Sequence, residues 1–176
     1  AGAQVQEVPL THISQLSGLQ ASGGFAAAES YAWHRSLLAR KADAYDPRVR
    51  TRIERGATMK AHEYIELFQA RQAWIGSVQA ELAGFDAVLS PTVPLLAPPI
   101  AQVAPGDERD GEFFRVNALL LRNPSVVNML DGCAISIPCH EPDSLPVGLM
   151  IWQSAMRDDT ILNIALQAQA ALARTT

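Results

Sequence analysis

A chain of 176 residues, 48% hydrophobic and carrying both charge signs, has the size and composition of a single globular domain rather than of a disordered segment. A net charge of −4 gives no electrostatic reason for nucleic acid or an anionic membrane to be a partner. No apolar run approaches a bilayer span, and the first residues have neither the basic flank nor the apolar core of a signal peptide, so a cytoplasmic home is expected.

Gln4 to Val8 alternates enough to predict a short strand, and Ala1-Gly2-Ala3 reads as though the chain starts mid-sequence. Thr11 to Ala21 predicts helix, broken by Ser22-Gly23-Gly24. Phe25 to about Ala44 is a run of good helix formers with Tyr31, Leu37 and Leu38 among its apolar residues. Asp46-Pro47 is an N-cap followed by proline at the first helical position, and the helix it opens is expected to stop at Gly56 as a C′ residue. Arg48, Arg50, Arg52 and Arg55 lie among Asp43, Asp46 and Glu54, which favours a solvated helix face over a phosphate site.

Lys60 to Leu82 is the longest periodic segment. Tyr64, Leu67, Phe68, Trp74, Ile75, Val78 and Leu82 fall along one stripe, and Gly84 ends it. Arg71 lies inside that stripe. A buried unpaired guanidinium is too costly, so Arg71 must meet a carboxylate, stack on an aromatic ring, reach a cavity or snorkel to the surface. Ala87 to Leu89 predicts a strand, and the five prolines from Pro91 to Pro105 predict a stiffened loop without regular structure. Glu112 to Leu121 and Pro124 to Leu130 predict two further helices, and Asp158 or Asp159 is expected to cap a last one reaching Ala173.

The chain is organised around Asn128 to Ile151. Ala134 to Ile137 and Val147 to Ile151 are apolar runs short enough for strands. The connection from Cys139 to Pro146 is too short for a crossover helix, so the two strands pair antiparallel if they pair. The second run is apolar on both faces, as in a strand covered on both sides, and Gly148 leaves room for close approach of a backbone or a ligand. Cys133 and Cys139 flank one predicted strand at about 20 Å if extended, beyond disulfide reach. Cys139 and His140 are adjacent, and neighbours on an extended segment point to opposite sides, which argues against a Cys–His dyad. The four histidines show no ligand spacing with the cysteines, so no metal site is expected.

Two stretches carry a resemblance. Asn128…Gly132-Cys133-Ala134-Ile135-Ser136-Ile137-Pro138-Cys139 with Leu145-Pro146-Val147-Gly148-Leu149 resembles the pattern N-x-x-G-x-P-A-x-S-x-P, L-P-V-G-L of the amidase signature family. Phe85-Asp86-Ala87-Val88-Leu89-Ser90-Pro91-Thr92-Val93-Pro94 with Ala97-Pro98-Pro99-Ile100 resembles its F-D-x-x-L-x-P-T-x-P…A-P-P-I. The two occur in the family's order. Cys133 stands where proline is usual and His140 where glycine is common, and Leu130 to Ala134 is closer to the allophanate-hydrolase-like branch.

The resemblance implies an α/β fold, the C-terminal part of the amidase signature domain, with a mixed β-sheet flanked by helices over residues 1–176. It implies cleavage of a carbon–nitrogen bond in a small amide, without cofactor, by a serine, a second serine in a cis peptide, and a lysine. Those three belong to the family's N-terminal half. Here Ser22-Gly23-Gly24 reads as a helix-breaking loop, and Lys41 and Lys60 fall in predicted helices, so no catalytic residue is expected in this chain. The expected role is to supply strands and pocket wall to a missing N-terminal half. Arg71 matches the distance of an arginine that meets the substrate carboxylate in the amidotransferase branch; Thr92 is expected at the pocket rim, and Asn128 and Asp131 are expected to hold loop backbone near it. A sheet cut in this way exposes edges and an apolar face, so a homo-oligomer is expected. The rival reading is a non-catalytic interaction or structural module derived from the same fold.

Overall fold

The structure, a computed structural model, describes residues 2–173. It divides into two compact units, one of Leu10–Val78 and one of residues 2–9 with 79–173.

The Leu10–Val78 unit is helical. A 3-10 turn at Thr11–Gln15 runs into α1 (Leu16–Leu19), and Gly23, at φ 99°, reverses the chain into α2 (Gly24–Lys41), which continues as 3-10 through Ala42–Ala44. The Asp46 carboxylate accepts the Arg48 N–H at 2.9 Å and opens α3 (Pro47–Glu54) as the sequence predicts. Bonds from the Arg48 side chain, then from its backbone N–H, hold that carboxyl below its ordinary pKa. The basic run is a surface face: Arg48 pairs with Asp46, and Arg50 with Asp43 and Glu54.

Gly56 departs from expectation. α3 passes into a 3-10 turn over Arg55–Thr58, and Gly56 is not left-handed. Its glycine is required by packing, because a Cβ there would lie 2.0 Å from the Ala27 carbonyl oxygen of α2. α4 (Ala61–Glu81) starts just after Lys60, whose N–H donates to Glu63 at 2.7 Å, one half of a capping box. Lys60 therefore stands at the helix entrance rather than within it. Leu67, Trp74, Ile75 and Val78 are buried as the stripe predicts, but Phe68 is 52% exposed. Position 68 follows the buried Leu67 directly, and one residue turns the helix by about 100°, to the edge of the apolar face.

The second unit holds the sheet: β1 (Val88–Pro91), β2 (Cys133–Pro138) and β3 (Gly148–Gln153), in the order β1-β3-β2, both pairs antiparallel. Ile151 faces Leu89 on one side and Ile135 on the other. The central strand is buried on both faces, as its unbroken apolar run predicts. α7 (Asp158–Leu172) covers one face, where Ile161 and Ala165 pack with Ile137 and Ile151. Met150 and Trp152 are buried on the other. The α/β class is as expected, with helices outnumbering strands.

Four local expectations are corrected in this unit. Gln4 to Val8 is not a strand: it pairs with none of β1, β2 or β3, Val5 is 76% exposed, and alternation without a ladder partner does not make a strand. Pro91 ends β1 rather than starting a loop; at the end of an edge strand its missing N–H breaks no central ladder. The proline-rich stretch also holds one turn of helix, α5 (Ile100–Val103). The two helices expected around Pro124 are a single α6 (Asp110–Met129). Proline inside a helix costs about 3 kcal/mol. Burial of Val126, Val127, Met129 and Leu130, at about 1.5–3 kcal/mol each, outweighs it. Finally, Asp158 and Asp159 lie in the first turn of α7 without capping it; Arg157 is the N-cap residue. There they face the positive end of the helix dipole.

Candidate functional site

The two motif stretches meet at one corner of the sheet. Val88, Ser90 and then Thr92 share a face with Met150 and Gly148 of β3 and Ser136 of β2. At the corner the Thr92 and Ser136 hydroxyls bond each other at 2.5 Å, and the Thr92 N–H donates to the Gly148 carbonyl at 2.8 Å. Gly148 is the close-approach position that the sequence suggests. Two hydroxyls fill the space: a Cβ at 148 would lie 2.5 Å from Ser136 Oγ and 2.6 Å from Thr92 Oγ1. Asn123 of α6 donates its side-chain amide to the Pro91 carbonyl at 2.7 Å. The corner is half-exposed at Thr92 and exposed at Ser136, so its polar groups face accessible space.

Asn128 and Asp131 lie at the end of α6, with Asn128 about 7.5 Å along the helix axis from Asn123. Both are exposed. Asp131, at φ 53°, is the left-handed C′ residue of a Schellman turn: its N–H meets the Asn128 carbonyl, and the Gly132 N–H meets the Val127 carbonyl at 2.9 Å. Both residues thus take part in holding the turn that feeds β2. Because Asp131 occupies a conformation that glycine adopts without strain, Asp131→Gly is expected to stabilise the unit by a few tenths to about 1 kcal/mol. A urea midpoint at or below that of the unsubstituted protein would contradict this.

Arg71 belongs to the other unit. It is half-buried, with its guanidinium carbon 5.7 Å from the centroid of the Phe25 ring. Phe25 meets Tyr64 edge-on at 5.5 Å, and the Tyr64 hydroxyl donates to Glu29 at 2.9 Å. That bond to the carboxylate raises the Tyr64 pKa above its ordinary value. Aromatic stacking is one of the solutions the sequence demands of Arg71, and Glu29 brings a negative charge into the same group. A cavity of about 440 Å³ beside Gln15, Leu19, Ala73 and Trp74, and one of about 240 Å³ beside Leu82, Phe85, Gln153 and Arg157, include none of Arg71, Thr92, Asn128 or Asp131 in their linings.

Comparison with known proteins identifies the lineage. The family model described as Amidase matches residues 1–162. The chain belongs to the amidase family. Among curated amidase relatives, 2-amino-5-chloromuconic acid deaminase of Comamonas testosteroni is 27% identical over 171 residues, covering 97% of this chain and 36% of that protein. A glutamyl-tRNA(Gln) amidotransferase subunit of Halobacterium salinarum is 28% identical over 140 residues, covering 76% of this chain and 31% of that protein. The allophanate hydrolase of Kluyveromyces lactis superposes with a TM-score of 0.80 at 25% identity, over 93% of this chain and 26% of that one. The chain therefore spans about a third of the length of these curated relatives.

Ser136 and Asn123 join this amidase corner beside the residues singled out from the sequence. Ser136 is the serine of the second amidase motif, so its signal is present in the pattern itself. Asn123 lies outside both motifs, and only the fold brings it to Pro91. Elsewhere, Cys139 and His140 do not point apart as extended neighbours would: Cys139 Sγ lies 3.6 Å, and His140 Nδ1 3.4 Å, from the same Val147 carbonyl oxygen. The chain has left β2 at Pro138, and the strict alternation ends with the strand. Both side chains therefore meet one backbone carbonyl oxygen, which is where the structure departs from the expectation that they point to opposite sides. Cys133 and Cys139 are free thiols. Among the described residues, no helix is long and apolar enough to cross a membrane.

Proposed function

We propose that this amidase-family chain supplies sheet strands and substrate-pocket wall to an enzyme cleaving the carbon–nitrogen bond of a small amide. In this reading the serine–cis-serine–lysine machinery comes from protein outside the chain. The observation that supports it best is the meeting of the two amidase motifs at Thr92, Ser136 and Gly148, which turns hydroxyls toward open space at one end of the sheet. Hydroxyls both donate and accept, as the recognition of an amide oxygen and nitrogen requires. Lys41 stands at the end of α2 and Lys60 at the entrance of α4, whereas the Ser136 hydroxyl bonds Thr92 rather than a base. Arg71, Asn128 and Asp131 complete the assignment, Arg71 as the group for a substrate carboxylate and the other two as holders of the turn. A cytoplasmic location and self-association through uncovered sheet edges belong to the same reading.

The purified chain is expected to show no hydrolysis of simple aryl or aliphatic amides above a mock preparation, and to scatter light as more than a monomer at micromolar concentration. Turnover abolished by Lys41→Ala or Lys60→Ala would overturn the assignment of chemistry to residues outside the chain. A monodisperse monomer would overturn self-association and favour a free-standing module.

A further inference from the structure

Three elements converge on the dipeptide Pro91-Thr92. Asn123 of α6 holds the Pro91 carbonyl, Gly148 of β3 holds the Thr92 N–H, and Ser136 of β2 holds the Thr92 hydroxyl. Proline has no N–H, so its carbonyl is its only backbone hydrogen-bonding group, and Asn123 takes it. Beyond Thr92 the chain runs through Pro94, Pro98 and Pro99 before α5 begins. Each proline fixes its φ, so the segment transmits the direction it leaves with instead of relaxing it. Seven residues reach up to about 20 Å, so an anchor misaimed by about 10° displaces the far end by roughly 3 Å. A misplacement of about 1 Å at a reacting group is enough to cost on the order of a hundredfold in rate.

We propose that Asn123 and Ser136 are positioning residues that clamp Pro91-Thr92 and so set the direction of the Val93–Pro99 loop. The functional consequence rests on the pocket-wall reading above; the clamp itself does not. Each of its hydrogen bonds is a small part of the stability of the unit, so removing one is expected to loosen the loop and leave the unit folded.

The test uses the 176-residue chain labelled for NMR, with no substrate present, so a failure of the pocket reading does not affect it. In Thr92→Val, which keeps the shape and removes the hydroxyl, order parameters at Val93, Leu95 and Leu96 are expected to fall from about 0.85 to below about 0.6. Exchange of the amide at position 92 should quicken about tenfold while the β3 amides keep their rates. Asn123→Leu should act in the same direction. Thr92→Ser, which restores a hydroxyl, should restore rigidity, and Thr92→Val combined with Ser136→Ala should be no looser than Thr92→Val alone. Loop order unchanged in Thr92→Val would overturn the clamp. So would equal quickening of every sheet amide, or a Thr92→Ser protein as loose as Thr92→Val. If Asn123→Leu does not fold, the threonine series decides.

Discussion

Gly56→Ala is expected to destabilise the Leu10–Val78 unit more than any other single methyl addition within it. The new Cβ would stand 2.0 Å from the Ala27 carbonyl oxygen, 2.5 Å from the Ala27 carbonyl carbon and 2.8 Å from Tyr31 Cβ. The first two are backbone atoms in α2, and no rotamer change moves them aside. Relief requires α2 and the turn after α3 to separate by more than about 1 Å, which opens the packing around the buried Ala27 and Ile53. Overpacking costs about 1–3 kcal/mol where side chains can yield, and more where backbone must. A loss of about 3 kcal/mol or more is therefore expected, against a typical total of about 5–15 kcal/mol. In urea that is a midpoint lower by roughly 1 M or more. Gly76 is the control, since a Cβ there meets nothing within 4 Å. Alanine at that helical position should stabilise by up to about 1 kcal/mol. Equal midpoints for the two variants would show that contact with Ala27 is not what requires glycine at 56.

The second large effect is expected at Ile151→Ala. Ile151 is 0% exposed, sits on the central strand with a neighbour on each side, and packs with Ile137, Ile161 and Ala165 under α7. Truncation removes buried methyl and methylene groups and leaves a cavity that paired strands cannot close, a loss of about 2–5 kcal/mol. Val5→Ala, at a side chain 76% exposed, should stay within about 0.5 kcal/mol of the unsubstituted protein. Thermal unfolding followed by circular dichroism measures both. A Tm for Ile151→Ala within about a degree of the parent would mean that the sheet core does not depend on the contact between β3 and α7.

Periodicity and punctuation make most elements legible: the Asp46-Pro47 start, α4 and its glycine stop, and the two strands around Cys139–Val147. They mislead where a local pattern needs a distant partner to decide it. Gln4 to Val8 alternates but has no neighbour to pair with, and Pro124 breaks a helix locally but not when four buried side chains follow it. Spacing marks Gly56 as a special position for the wrong reason, because backbone crossing between two helices leaves no trace in it. The candidate corner is half legible. Thr92, Ser136 and Gly148 stand in recognisable motifs, but the contacts that Ser136 and Asn123 make with Thr92 and Pro91 span 44 and 32 residues of chain, a separation that no periodicity encodes.

The order β1-β3-β2 sets a sequence of events in folding. β2 and β3 need close only the Cys139–Val147 connection, whereas pairing β1 with β3 closes the whole stretch Thr92–Val147. The longer loop is about sixfold longer and costs about 1.6 kcal/mol more in closure entropy. The β2–β3 hairpin is therefore expected to form first and present the edge of β3 on which β1 docks. Pulse-labelled amide exchange should protect the hairpin amides before that of Thr92; simultaneous protection would reject the order. Thr92 and Ser136, drawn from opposite edges of the sheet, then meet only in the closing step, so the hydroxyl corner is assembled last, on a hairpin that is already paired.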